Sequence, residues 1–166
     1  KTISKTIGNE ASVVRILGLD LGEKTVGVAL SDPFGWTAQG LTVIRRVNPT
    51  EMKQSMGELA KIITQYGVET IVLGYPLNLD GTKSVRCEKT EEYAARLQGR
   101  FPQIPVVLWD ERFTTVSAHA VLREGGLDGK ERKKVVDQTA AVLILQGYLD
   151  RLAHGAATAE ETDKGE

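Results

Sequence analysis

The sequence predicts an α/β fold: a mixed five-stranded sheet, laid out as an antiparallel meander followed by parallel crossovers, with helices on both faces. Three observations predict it. Val13 to Leu21 and Thr25 to Ser31 are rich in Val, Ile and Leu and are separated only by Gly22-Glu23-Lys24, the pattern of a two-stranded hairpin. Beyond them, short apolar runs alternate with stretches of helical period. Finally, 166 residues, 41% hydrophobic and 26% charged, suit one domain that buries one sheet between helical layers.

The elements follow in order. Gly35 to Arg45 supplies a third strand, with Leu41, Val43 and the stem of Arg45 alternating with Thr42 and Ile44. From Pro49 the period changes: Met52, Met56, Leu59, Ile62, Ile63 and Tyr66 recur at steps of three and four, and Gly67 stops the helix. Thr70 to Leu73 is a short buried strand running into Gly74-Tyr75-Pro76. Ser84 to Phe101 places Tyr93, Ala94, Leu97 and Phe101 on one helical face, and Pro105 to Trp109 is the next strand. Thr114 or Thr115 caps a helix that runs through Arg123, and Gly125-Gly126 breaks it. Leu127 to Lys134 reads as a mobile loop, and a last helix spans about Lys134 to Leu152. Trp36 and Trp109 read as core. Residues 1–14 form an N-terminal extension, 15–152 the domain, and 153–166 an acidic, disordered tail.

Composition narrows the chemistry. One cysteine, Cys87, excludes an internal disulfide, and with only His119 and His154 beside it no zinc site is available. Any metal must be held by oxygen. No apolar run of about 18 residues and no secretory leader is present, so the cytoplasm is the expected location. The net charge of −1 counts against a generic polyanion binder, although charge is segregated: the chain ends in an acidic stretch, whereas Lys130, Arg132, Lys133 and Lys134 cluster.

The acids carry the functional signal. Asp20 interrupts the apolar run Ile16 to Leu21, where an unpaired carboxylate would cost several kcal/mol, so it needs a cation or several donors. The Gly22 turn offers such donors as an alternative. Asp110 and Glu111 end a second apolar strand, where ligands bind in open α/β sheets. Because the two point to opposite sides if the strand continues, only one faces Asp20. Glu111 is favoured, with Asp110 as the alternative and an Asp-Glu-Arg ion pair as the bland reading. Asp137 shares a helical stripe with Ala141, Ile144 and Tyr148, and the small Ala140 and Ala141 let that helix approach the sheet. The alternative is that it only complements the helix dipole. Three converging carboxylates make a hard-oxygen site for Mg²⁺ or Mn²⁺, and two such ions about 3.5–4 Å apart suit in-line phosphodiester hydrolysis.

Several stretches together resemble a known family. Gly18-Leu19-Asp20-Leu21-Gly22 with Gly27-Val28-Ala29, Leu73-Gly74-Tyr75-Pro76, Asn78-Leu79-Asp80-Gly81, Asp110-Glu111-Arg112 with Thr114-Thr115, and Asp137 with Ala140-Ala141 match the YqgF family, also called RuvX, of candidate pre-16S rRNA nucleases. The resemblance covers about Arg15 to Leu152 and implies an RNase H-like fold akin to Holliday-junction resolvases. It also implies a role in trimming the 5′ end of the small-subunit rRNA precursor, with Asp20, Glu111 and Asp137 as the metal-binding, catalytic acids and Asp110 as alternative to Glu111. Tyr75 and Lys83-Ser84 depart from the family pattern.

The expected partner is nucleic acid, either rRNA precursor or branched DNA, met by a monomer or a homodimer. The Asn78 to Thr82 turn either offers backbone N–H groups to phosphate, with Lys83 and Arg86 behind it and Arg112 nearby, or is a solvated turn that caps the next helix through Ser84. Lys130, Arg132, Lys133 and Lys134 either close over a bound strand or form a solvated charge run. A Gly-x-Asp-x-Gly strand also opens sugar kinases, but those need two such domains and this chain is too short. A binding module that kept the fold without catalysis is the remaining alternative.

Overall fold

A computed structural model describes residues 15–48, 50–113 and 129–163; for residues 113, 129–137 and 156–163 it describes the backbone alone. The expected helix from Thr114 or Thr115 to Arg123 and the extension 1–14 lie outside these residues. The chain runs β1 (Arg15–Leu21), β2 (Thr25–Ser31), β3 (Ala38–Arg45), α1 (Lys53–Tyr66), β4 (Val68–Tyr75), α2 (Val85–Arg100), β5 (Val106–Asp110), a 3₁₀ turn (Glu111–Phe113) and α3 (Gly129–Asp163). The strands order as β3-β2-β1-β4-β5. β1, β2 and β3 pair antiparallel, and β1, β4 and β5 pair parallel. This is the mixed five-stranded sheet that the hairpin and the crossovers predict.

Period-two alternation divides the core into two layers. Leu17, Leu19, Leu21, Val26, Val28, Ile71 and Leu73 pack with Met56, Leu59, Tyr93 and Leu97 on the α1/α2 side. Ile16, Ala29, Val72 and Trp109 pack with Ala141, Ile144, Leu145 and Leu149 on the α3 side. Tyr93 is fully buried, and its hydroxyl donates to Ser55 Oγ at 2.9 Å, so the desolvation cost of about 1–3 kcal/mol for an unmet hydroxyl is avoided. α1 stops at Gly67, whose φ of 63° is left-handed and whose N–H closes on the Ile63 carbonyl.

α3 crosses the sheet diagonally over glycines. A Cβ at Gly40 on β3 would meet the Gln138 side chain at 2.6 Å, one at Gly18 on β1 would meet Leu145 Cβ at 2.6 Å, and one at Gly74 on β4 would meet Ile144 Cδ1 at 2.5 Å. Missing side chains on the sheet, as much as small residues on the helix, allow the close approach.

Four expectations need correction. α3 begins at Gly129, so Lys130 to Lys134 are helical rather than part of a loop, and it continues to Asp163 where an unstructured tail was expected. The run is helical because its Lys, Arg and Val residues contain no Gly or Pro after Gly129. On β3, Ile44 is the buried residue, not part of a face opposed to Leu41. A register shift leaves Leu41 as an extra residue between Gly40 and Thr42, and this bulge brings Leu41 and Ile44 to one side despite their odd spacing. Trp36 is not core: it is 72% exposed and lies against Phe34, ring centroids 5.2 Å apart, on the β2–β3 turn. The Asp32 carboxylate accepts the N–H groups of Phe34, Trp36 and Thr37 at 2.9–3.1 Å, and that closed turn points the rings outward.

Candidate active site

The sheet's alternation decides which acids meet. Along β1 the odd positions face α1 and α2, so Asp20, like Ile16 and Gly18, comes out on the α3 side at the C-terminal end of the strand. On β5, Trp109 belongs to the α3 side. Glu111, two residues on, falls on that same side, and Asp110 between them falls on the other. Glu111 lies over Gly74: a Cβ there would stand 2.6 Å from Glu111 Oε1. The absent side chain is the space the carboxylate occupies.

Asp20 and Glu111 share a hydrogen bond between their side chains. Burial, and then the neighbouring Asp20 charge, push the Glu111 carboxyl from 4.5 up to about 7, against a lowering pull from the Arg86 guanidinium. One donor expected for Asp20, the Gly22 N–H, is engaged elsewhere: it donates to the Thr25 carbonyl at 2.8 Å.

Asp110 is engaged differently. The Arg112 guanidinium grips both its oxygens, Nε at 3.0 and 3.1 Å and Nη2 at 2.7 Å, while the Arg112 N–H adds a bond at 3.0 Å. This fork holds the Asp110 carboxyl below its ordinary range. The structure therefore brings Asp20 together with Glu111, not with Asp110.

The remaining expected residues are placed as follows. Asp137 lies in α3 one turn before Ala141, whose carbonyl stands 3.1 Å from where a Gly18 Cβ would be. Its side chain, like those of Lys130, Arg132, Lys133 and Lys134, lies outside the described residues. Among the described residues no cluster of three or more His, Cys, Asp or Glu side chains gathers. Lys83 Nζ pairs with Glu91 at 2.8 Å, and the Tyr75 hydroxyl donates to the same carboxylate at 2.6 Å. Arg86 Nη2 donates to the Leu21 carbonyl at 2.8 Å.

Three N–H groups of the Asn78 to Thr82 turn are used within the turn itself. The Asn78 N–H donates to the Thr82 carbonyl, Gly81 N–H to the Asn78 carbonyl and Thr82 N–H to Asp80 Oδ1, each at 2.9 Å, so those donors are consumed within the turn. Ser84 sits at the N-cap of α2 but makes no side-chain cap bond. Sequence reasoning missed the space-making role of Gly74. A glycine at the end of an apolar strand, beside a second strand ending in acids, was the available signal.

The two carboxylates suit a hard divalent cation. Both are oxygen donors, they stand within hydrogen-bond reach, and burial together with the Asp20 charge disfavours a second negative charge on Glu111 unless a cation is present. Such a pair at the C-terminal edge of a mixed sheet, with a guanidinium beside it, can bind a cation and hold phosphate near it.

The sequence profile of the family described as RuvX, Holliday junction resolvase, matches residues 14–151. A protein of Ruminiclostridium cellulolyticum named as a candidate pre-16S rRNA nuclease is 49% identical over 140 residues, covering 84% of this chain and 96% of its own. Another of that name from Bacillus subtilis strain 168 is 49% identical over 139 residues, covering 84% of this chain and 99% of its own. Among solved structures, T. thermophilus RuvC in complex with a Holliday junction substrate superposes with a TM-score of 0.58 at 14% identity, covering 86% of this chain and 96% of its own, a likeness of fold. Among the described residues no helix is long and apolar enough to cross a membrane.

Proposed function

The chain belongs to the RuvX family, and from that premise we propose that it is a divalent-metal-dependent nuclease that hydrolyses phosphodiester bonds in the 5′-end maturation of the 16S rRNA precursor, in the cytoplasm. The observation that carries this reading is the Asp20–Glu111 pair over Gly74. Asp20 and Glu111 hold Mg²⁺ or Mn²⁺, with Asp137 as third acid in a two-ion arrangement. When bound, the ions polarise the phosphoryl group and favour attack by water.

The protein's own groups do the rest. Burial and the Asp20 charge raise the Glu111 carboxyl, and a bound cation would favour its ionised, metal-binding form. Arg86, fixed on the Leu21 carbonyl, keeps a positive charge beside Glu111 and is available to a phosphate oxygen. The Asp110–Arg112 fork closes the turn that aims Glu111 back over the sheet. RNA is favoured over branched DNA because the relatives at 49% identity carry a pre-16S rRNA name.

Parallel incubation with precursor rRNA, single-stranded RNA and a four-way DNA junction, each with Mg²⁺, Mn²⁺ or chelator, tests this. Metal-dependent cleavage of the rRNA precursor is expected. Cleavage confined to the junction supports the resolvase alternative. Full activity in excess chelator rejects the metal-dependent chemistry, and binding without cleavage of any substrate supports the non-catalytic reading.

A further inference from the structure

The end of β1 carries acid on one side of the sheet and a basic cavity on the other. The cavity, about 540 Å³, is bounded by the β1–β2 turn at Leu21, Gly22 and Glu23, by Arg46 just beyond β3, and by Arg86 and Lys89 on α2. That volume falls among those of small-ligand pockets, about 300–1,000 Å³. Its charge is mixed but favours anions: Arg46, Arg86 and Lys89 line it together with Glu23 and Glu92.

Arg46 is held in place. Its N–H donates to the Lys24 carbonyl at 2.8 Å, its Nη1 donates to the Gly22 carbonyl at 2.9 Å, and its guanidinium carbon lies 5.8 Å from the Tyr93 ring centroid. A guanidinium fixed before binding loses less freedom when it meets a phosphate. Lys89 is exposed and lies three residues after Arg86, on the same side of α2. Arg86 joins the two sides of the strand end, because it bonds the Leu21 carbonyl at the cavity wall while its charge reaches Glu111.

We propose that this cavity is a phosphate subsite for the substrate strand, in which Arg46 and Lys89 bind a backbone phosphate neighbouring the one placed at Asp20 and Glu111. A strand laid across the end of β1 then meets the acid pair on one side and the cavity on the other. The inference rests on the nuclease reading and adds to it a contact that fixes the register of the strand.

The test is binding of a labelled single-stranded oligoribonucleotide to the full chain in chelator, by fluorescence anisotropy over a range of salt, with Mg²⁺-dependent cleavage measured alongside. Lys89→Gln is the primary variant because Lys89 is exposed and makes no packing contact that folding needs. Lys61→Gln on the exposed side of α1 controls for loss of one charge. Arg46→Lys, checked by thermal melting, keeps the charge without the fork.

Lys89→Gln should weaken binding about three- to tenfold at low salt and lower the salt slope by about 0.7, the value for one phosphate contact on a single strand. Lys61→Gln should do neither. Wild type that binds and cleaves RNA while Lys89→Gln retains the same affinity and slope overturns the subsite and leaves the nuclease reading intact. Wild type that neither binds nor cleaves overturns both. Inorganic phosphate alone is titrated in parallel: affinity for it that Lys89→Gln lowers, with oligonucleotide affinity unmoved, identifies a free-anion site and contradicts the proposal.

Discussion

Asp20→Asn should reduce turnover by about 100-fold or more, beyond the 10–100-fold loss that follows when only a supporting partner of a metal ligand is removed. The substitution keeps size and shape but removes the charge that binds a cation, and it leaves β1 with its apolar neighbours unchanged. Folding should survive, with metal-free stability equal or higher, because the Asp20 charge is one of the causes that raise Glu111. A thermal melt and a cleavage assay on the same preparation check both halves. Wild-type activity in this variant would remove Asp20 from the site.

The same pair sets a pH dependence of stability. Glu111 is raised in the folded protein from 4.5 to about 7, so its contribution to stability is complete below about 4.5 and is lost as pH rises through about 7. At about 1.4 kcal/mol per unit, discounted for partial solvent exposure, the loss is on the order of 1–3 kcal/mol. Burial is the larger cause and Asp20 the next. Asp20→Asn should therefore flatten this dependence without abolishing it, as read by denaturant unfolding in chelator between about pH 4.5 and 8.

Gly74→Ala should have the second-largest effect, and it separates positioning from stability. The new Cβ meets Glu111 Oε1 at 2.6 Å and Ile144 Cδ1 at 2.5 Å, both at the far ends of flexible side chains. Each can yield, so the stability cost stays near the low end of the roughly 1–3 kcal/mol of an overpacked core. Glu111 cannot yield without leaving its place beside Asp20, and a displacement of about 1 Å can cost on the order of 100-fold in rate. A large loss of kcat with a small change in melting temperature is the expected pattern. Unchanged kcat would show that Glu111 need not occupy the space over Gly74.

The mixed sheet, an antiparallel meander followed by parallel crossovers, was legible because the hairpin around Gly22-Glu23-Lys24 and the later apolar runs each imply a different connection. The bulge at Leu41 was not, since it depends on pairing with β2. Asp20 stood out as a charge within an apolar strand; the parity of β5 said that only one of Asp110 and Glu111 could face it, and the structure selects Glu111. The fork between Asp110 and Arg112 is a local contact, legible in the Asp-Glu-Arg run as an alternative fate for either acid. The outward Trp36 was misread because it depends on Asp32 taking up nearby N–H groups, and composition alone does not say whose donors a side chain will capture. Arg46 and Lys89 carried no signal at all, because the cavity that joins them is formed by segments distant in the chain.

Asp20 and Glu111 form the cation site on which the proposed activity rests, and a divalent metal bound there should lower the Glu111 carboxyl. Carboxyl ¹³C NMR titration of Glu111, with and without saturating Mg²⁺, measures this directly. The account predicts a midpoint near 7 in chelator, moved down by about one unit or more when Mg²⁺ is present, as a neighbouring opposite charge does. A Glu111 titration that is identical with and without Mg²⁺ would contradict it.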